Sequence, residues 1–281
     1  MRVLVTGAGG YIGRFVVKAL LDDGHEVMAL DLNTEGIDSR AKKINMSIFS
    51  GDDNIFNELG CPDVCIHLAW RDGFIHNSDA HMKDLSKHYV FLKDMLEGGL
   101  KRLSVMGTMH EIGYWNGKID ENTPCNPSSL YGIAKNALRQ AVFQLKNKYS
   151  DVNLYWLRAY YILGDDKKNH SIFAKILQAD EEGKEIFPFT TGKNKYDFIN
   201  VEDLAKMIAA ASVQDDITGI INCCTGKPVS LGEKVEEFIK EKKLKIKLGY
   251  GMFPDRSYDS PCEYGDNTLI EKIMEKKNVG K

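Results

Sequence analysis

Arg2-Val3-Leu4-Val5-Thr6-Gly7-Ala8-Gly9-Gly10-Tyr11-Ile12-Gly13 opens the chain, and its reading decides the fold. Arg2–Thr6 is a short apolar run of the kind that forms a buried strand. Residues 11–22 carry Ile12, Phe15, Val16, Ala19 and Leu20 at helical spacing, and Gly24 is a helix stop. The glycine turn joining them suits a pyrophosphate. Gly7 lets the chain turn sharply, Gly10 admits a phosphate close to the backbone, and Gly13 lets the helix pack tightly on the strand. Tyr11 and Ile12 complete the turn, and the helix N-terminus behind them supplies N–H donors and positive potential.

Outward from this turn, short apolar runs alternate with amphipathic stretches, the pattern of a parallel sheet with helical crossovers. Glu26–Asp31 reads as the second strand, and residues 64–69, 103–106 and 154–159 as further strands. Residues 84–96 and 131–148 are long helical stretches. After Gly164 the texture changes: 171–179 is helical, 183–195 is loop-rich, 198–211 is strand then helix, and 219–223 is another apolar run. Residues 249–265, rich in Gly, Pro and aromatics, read as a binding surface. The expected architecture is α/β, a doubly wound parallel Rossmann sheet with a smaller C-terminal substrate cap. Residues 1–163 form the dinucleotide-binding domain, 196–224 return to it, and 164–195 with 225–281 form the cap.

Bulk properties narrow the partners. Among 281 residues, 43% are hydrophobic and 27% charged, as in an ordinary globular protein. The net charge of −3 and the absence of a basic stripe argue against nucleic acid. No apolar run approaches the ~20 residues that span a bilayer, and the N-terminus reads as a strand rather than a signal peptide. The six cysteines lack paired C-x-x-C spacing, which fits reduced thiols in the cytoplasm and argues against a structural metal.

Asp31 ends the second strand 18 positions after Gly13. A carboxylate there accepts hydrogen bonds from ribose hydroxyls and repels a 2′-phosphate, which favours NAD over NADP. Arg14 and Arg40 are near enough in sequence to leave NADP open. Asp52, in Gly51-Asp52, is placed to meet the adenine amino group, or else simply forms a turn. Tyr131 and Lys135 are spaced i, i+4, which puts phenol and ammonium on one helical face. A free phenol, with a pKa of ~10, is a poor base at neutral pH, and a nearby cation lowers that value. Such a tyrosine exchanges a proton with a carbonyl or alcohol oxygen. Thr108 ends a strand one loop earlier, where a doubly wound sheet opens its ligand crevice, and its hydroxyl is placed to hold the substrate oxygen.

These residues resemble the extended short-chain dehydrogenase/reductase family, the NAD-dependent epimerase/dehydratase group. The matching residues are Thr6-Gly7-x-x-Gly10-x-x-Gly13, Asp31, Gly51-Asp52, His67-Leu68-Ala69, Gly107-Thr108, Tyr131-x-x-x-Lys135 and Leu157-Arg158. Tyr196-Asp197-Phe198-Ile199, Val201, Asp203-Leu204-Ala205, Arg256, Asp259 and Asp266 also match. The resemblance spans nearly the whole chain. It implies about seven parallel strands, cofactor contacts from Leu68 and Ala69, a nucleotide-diphosphate sugar as substrate, and a homodimer formed through the helices holding Asp84 and Tyr131.

Departures from the family pattern choose among its reactions. Its Ser-Ser/Thr pair is Gly107-Thr108 here, and its dehydratases' Asp-Glu pair is Met109-His110, which argues against 4,6-dehydration. The segment 107–115 is similar to reductases of 4-keto-6-deoxy nucleotide sugars. Reduction of such a C4 ketone is therefore the leading expectation. A nucleotide-sugar epimerase with tightly bound NAD, or an NAD(H)-binding regulator that does no chemistry, are the alternatives. Loop readings stand beside site readings for the remaining candidates: His110 and His170 as sugar ligands or acids, Arg256 as a diphosphate clamp, and Tyr114 and Trp115 as covers for the sugar.

Overall fold

The computed structural model describes residues 1–164, 171–255 and 259–279. In chain order the elements are β1 (Arg2–Thr6), α1 (Gly13–Asp22), β2 (Glu26–Asp31), β3 (Lys42–Asn45), α2 (Ile55–Glu58), β4 (Val64–His67), α3 (Ala80–Glu97), β5 (Arg102–Thr108), β6 (Asn116–Ile119), α4 (Leu130–Lys148) and β7 (Asn153–Ala159). There follow β8 (Tyr161–Leu163), α5 (Ile172–Glu181), β9 (Ile186–Pro188), β10 (Lys195–Asn200), α6 (Val201–Ser212), β11 (Gly219–Cys223), β12 (Pro228–Ser230), α7 (Leu231–Glu241), β13 (Lys247–Gly249), β14 (Cys262–Gly265) and α8 (Thr268–Val279).

Seven strands form one parallel sheet in the order β11-β7-β5-β4-β1-β2-β3. Alternation along β1 sends Val3 and Val5 to one core with α1 and α6, and Leu4 to the other with α3 and α4. Both faces are covered, as a parallel sheet requires, and β1, β4 and β5 are accordingly buried along nearly their whole length. Strand order reverses at β1, with β2 on one side and β4 on the other, so their C-terminal ends open a crevice there.

A second, mixed sheet runs β12-β10-β14-β6, with β8 beside β10. Here the expected boundaries need correcting. β10 joins this smaller sheet rather than the large one. The buried Asp197 carboxylate holds it, accepting from Thr225 N and Oγ1 at 2.9 and 2.6 Å, Gly226 N at 2.8 Å and Gly265 N at 3.3 Å. Nor does α8 belong to the cap: Ile270 and Ile273 sit in the large core with α6 and β11. β3 escapes sequence reading because it is a charged edge strand, Lys-Lys-Ile-Asn, with only Ile44 half-buried. Among the described residues no helix is long and apolar enough to cross a membrane.

Candidate active site

The crevice at the strand ends holds about 1780 Å³ and runs from the glycine turn across the ends of β4 and β5 to the cap. At its first end, the glycines leave no room for side chains. A Cβ on Gly7, whose φ is +70°, would sit 2.6 Å from Ala69 N, and one on Gly13 would sit 2.1 Å from Gly7 O. Gly9 is equally constrained, 2.2 Å from Asn33 O, and was not singled out in the sequence because glycine runs blur which member is essential. Gly10, Tyr11 and Ile12 line the crevice with Leu68 and Ala69. A turn whose glycines press this closely on neighbouring backbone while lining the open crevice fits the pyrophosphate of a dinucleotide.

Asp31 lies at the same end and does double duty. Its Oδ2 accepts from Gly9 N at 2.9 Å and its Oδ1 from Asn33 N at 3.2 Å, so the carboxylate is aimed before any ligand arrives. Arg40, one of the two arginines that left NADP open, is engaged elsewhere by Asp38 and Asp22, at 2.7 and 2.8 Å. Asp52 is not brought to this crevice. It lines a smaller cavity beside Phe49 and Lys87, and its Oδ1 accepts from Asn54 N at 2.8 Å, the turn reading of that residue.

At the centre stand Thr108, Tyr131 and Lys135. Ser129 caps α4, its hydroxyl accepting from Gly132 N, which sets Tyr131 and Lys135 one turn apart. Lys135 is 2% exposed; its Nζ donates to Met106 O at 2.8 Å and lies 3.9 Å from the centre of the Trp70 ring. Burial lowers its pKa to about 7, against the opposing charge of Glu111. Burial pushes the Tyr131 phenol upward, with the Thr108 hydroxyl opposing. A tyrosine held acidic by its lysine is thus not what these residues produce: both groups are driven toward their neutral forms, because desolvation outweighs a cation 6.0 Å from the ring centre.

The depressed lysine has a consequence for stability. Unfolding returns Lys135 to its ordinary value near 10.5, so the unfolded chain binds more protons between pH 7 and that value. This group's contribution therefore disfavours the fold below about pH 7, and the penalty is relieved as pH rises above it. Lys135→Met should raise the melting temperature more at pH 7 than at pH 9. Equal gains at both would contradict the assignment.

The structure adds aromatic and histidine walls that sequence reading missed. Trp70 Nε1 donates to His81 Nδ1 at 3.0 Å, which leaves His81 Nε2 to donate to Ile75 O, also at 3.0 Å. Trp70 stacks on His88 at 4.5 Å between ring centres, and His88 joins His67 and Thr6 in a buried chain of contacts at 3.0 and 2.9 Å. The His76 ring stacks on Tyr131 at 5.6 Å, and its carbonyl accepts from Tyr131 N at 2.8 Å. Burial lowers His67, His76, His88 and His110, the last two to about 3, so all four are neutral at pH 7. The one available signal was the number of histidines between 67 and 110.

The remaining candidates divide. His110 and Tyr114 line the crevice, while Trp115 packs beside Ile112 and Tyr160 and donates Nε1 to Lys118 O. His170 and Arg256 lie outside the described residues. Gly107 is required: a Cβ there would sit 2.2 Å from Trp156 Nε1 and 2.8 Å from Glu111 Oε1. The missing hydroxyl at that position thus has a packing cause. Among the described residues no group of His, Cys, Asp and Glu is arranged to hold a metal.

Residues 3–224, which include the glycine turn, Asp31, Thr108, Tyr131 and Lys135, match the NAD dependent epimerase/dehydratase family. The chain belongs to that family. One relative of the family member is the dTDP-6-deoxy-L-talose 4-dehydrogenase (NAD(+)) of Aggregatibacter actinomycetemcomitans, 48% identical over 94% of this chain and 99% of that one. Similar solved structures include the UDP-glucose 4-epimerase of Thermotoga maritima with UDP-glucose, with a TM-score of 0.82 at 23% identity, covering 97% of this chain and 92% of that one. The Thermus thermophilus UDP-glucose 4-epimerase in complex with NAD has a TM-score of 0.80 at 21% identity, covering 99% and 93%. At these identities the solved structures speak for the family's fold. The cofactor of this family member is NAD.

Proposed function

We propose that this enzyme reduces the C4 ketone of a nucleotide-activated 4-keto-6-deoxyhexose, with Tyr131, Lys135 and Thr108 as its catalytic residues. The observation that carries the reading is their convergence: Tyr131 and Lys135 share a crevice wall one turn apart, and Thr108 ends the strand that faces them. The 48% identity to a 4-dehydrogenase acting on a dTDP-linked 6-deoxy sugar supports both the position oxidised and the nucleotide.

Gly7, Gly10, Tyr11, Ile12, Gly13, Asp31, Leu68, Ala69 and Lys135 would hold NAD(H), which when bound supplies the hydride. Tyr131, kept protonated by burial, gives its proton to the ketone oxygen. The Thr108 hydroxyl, which bonds the Tyr131 phenol and accepts from His110 N at 3.3 Å, would turn to hold that oxygen beside the phenol. Lys135, anchored on Met106 O and Trp70, fixes the cofactor ribose, and the aromatic wall excludes water. His110 contacts the sugar, and His170 and Arg256 belong to the same proposal as acid and diphosphate clamp.

The reading extends to the assembly. Met82, Val90 and Ile133 are exposed apolar residues on α3 and α4, which supports a homodimer through those helices, and six free thiols suit work in the cytoplasm. The deciding experiment supplies dTDP- and GDP-linked 4-keto-6-deoxyhexoses with NADH. Stoichiometric NADH oxidation with one of them is expected. Turnover without net oxidation would make the protein an epimerase, and no NADH loss with either sugar would end the reading. Asp31→Ala should raise the KM for NADH by on the order of tenfold, the loss of hydrogen bonds to a charged acceptor, with kcat little changed. An unaltered KM would remove Asp31 from the cofactor site.

A further inference from the structure

Beyond Thr108 the crevice continues onto the cap. In the register of β5 and β7, Thr108 lies opposite Ala159, so Tyr160 and Tyr161 emerge directly past the reacting end. Tyr161 Oη donates to Glu263 Oε1 at 3.0 Å. Glu263 is on β14 and only 3% exposed, yet it lines the crevice with Tyr161, Asp259 and Ser260. Two contacts bind this wall to the segment that follows Thr108. β14 pairs with β6, setting Glu263 opposite Gly117, and Trp115 N donates to Ser260 Oγ at 3.2 Å.

The groups facing Glu263 are Tyr161 from β8, Tyr196 from β10, and Asp259 and Ser260 from the residues before β14. Burial pushes the carboxyl up to about 7, the neighbouring Asp259 charge adds to this, and the Ser260 and Tyr161 hydroxyls oppose it. A wall of two carboxyl groups and phenols repels phosphate. It suits alcohols, which donate to a carboxyl oxygen and accept from a phenol or a protonated acid. Tyr160, at the same strand end, has a buried hydroxyl with no partner among the described residues.

We propose that the Tyr161–Glu263 pair reads the ring hydroxyls of the hexose, making it a specificity-determining site for the sugar rather than for the diphosphate. This rests on the reading that places a nucleotide sugar with its hexose at Thr108 and Tyr131. The Tyr161 and Ser260 hydroxyls take two of the acceptor sites of the carboxyl, and its remaining lone pairs are left to the ligand. Nothing in the Tyr/Lys chemistry uses either residue, so their loss should weaken recognition and spare the nucleotide.

The test measures binding of dTDP-L-rhamnose, a 6-deoxyhexose, and of dTDP alone to the NAD-loaded protein by calorimetry. Glu263→Gln and Tyr161→Phe are each expected to weaken dTDP-L-rhamnose about tenfold, the cost of ~1.4 kcal/mol of lost hydrogen bonding, with dTDP binding within about twofold of wild type. Retained dTDP affinity is also the control that each variant is folded. Unchanged dTDP-L-rhamnose binding in both variants would overturn the proposal. So would equal weakening of both ligands, which would assign the pair to the nucleotide or to the fold. If dTDP fails to bind the wild type, the nucleotide-sugar reading itself falls and the pair's role with it.

Discussion

Tyr131→Phe is expected to lower kcat for ketone reduction by about 10²–10⁴-fold, with the KM for the sugar nucleotide changing by less than about threefold. The ring would keep its place. Its neighbours are aromatic faces, Trp70 edge-on at 6.3 Å, His76 stacked at 5.6 Å and His81 tilted at 5.3 Å, and none of these contacts needs the hydroxyl. What disappears is the proton. Lys135 is already occupied, its Nζ bonded to Met106 O and set on the indole face, with its remaining donors given to the cofactor ribose. His110, lowered to about 3, is a neutral imidazole at pH 7 and a weak donor. Steady-state assays of NADH oxidation with both proteins at matched pH decide the matter. A variant retaining more than a tenth of wild-type kcat would show that another group delivers the proton, and Thr108 and His110 would be next to test.

The large sheet was legible because a doubly covered parallel strand is buried along nearly its whole length and so carries an apolar run, as β1, β4, β5 and β7 do in Val3-Leu4-Val5, Val64-Cys65-Ile66, Val105-Met106 and Leu154-Tyr155-Trp156-Leu157. The glycine turn was legible for a related reason, since backbone approach excludes side chains at fixed positions. What sequence reading could not see is the assembly of distant short pieces. β6, β8, β10, β12 and β14 are three to six residues each and meet from separate parts of the chain, so neither their pairing nor the crevice face of Glu263 has a local signature. Asp197 shows the limit clearly: a motif residue in sequence, it proves to be a buried knot of four accepted hydrogen bonds that decides which sheet β10 joins. The Tyr131 phenol marks a different limit. Helical spacing correctly predicts that phenol and ammonium share a face, but burial depends on the whole fold, and it was burial that set the direction of both shifts.

Glu111→Ala is expected to cost about 3–5 kcal/mol of stability, the usual penalty for removing one partner of a buried charged pair. For a chain of this size that corresponds to a fall in melting temperature on the order of 10 °C. Glu111 is fully buried directly after Met109-His110, and both of its oxygens are engaged. Its Oε1 accepts from Thr108 N at 2.8 Å, both oxygens accept from Trp156 Nε1 at 2.9 and 3.0 Å, and Oε2 faces Arg158 Nε at 3.6 Å and Arg139 Nε at 3.7 Å. Removal would leave the Trp156 indole N–H and the Thr108 N–H without their acceptor, and the Arg158 and Arg139 guanidinium groups without the carboxylate that faces them. Burial alone raises the Glu111 pKa, with Arg158 the largest opposing influence, so the carboxylate and the arginines sustain one another. Because the same carboxylate caps the turn that begins at Thr108, the variant should also lose activity beyond what its fraction folded accounts for. Thermal denaturation paired with kcat measured well below the melting point separates the two effects. A melting temperature within about 2 °C of wild type would mean that water replaces the carboxylate at no cost, and the buried network would then be incidental to the fold.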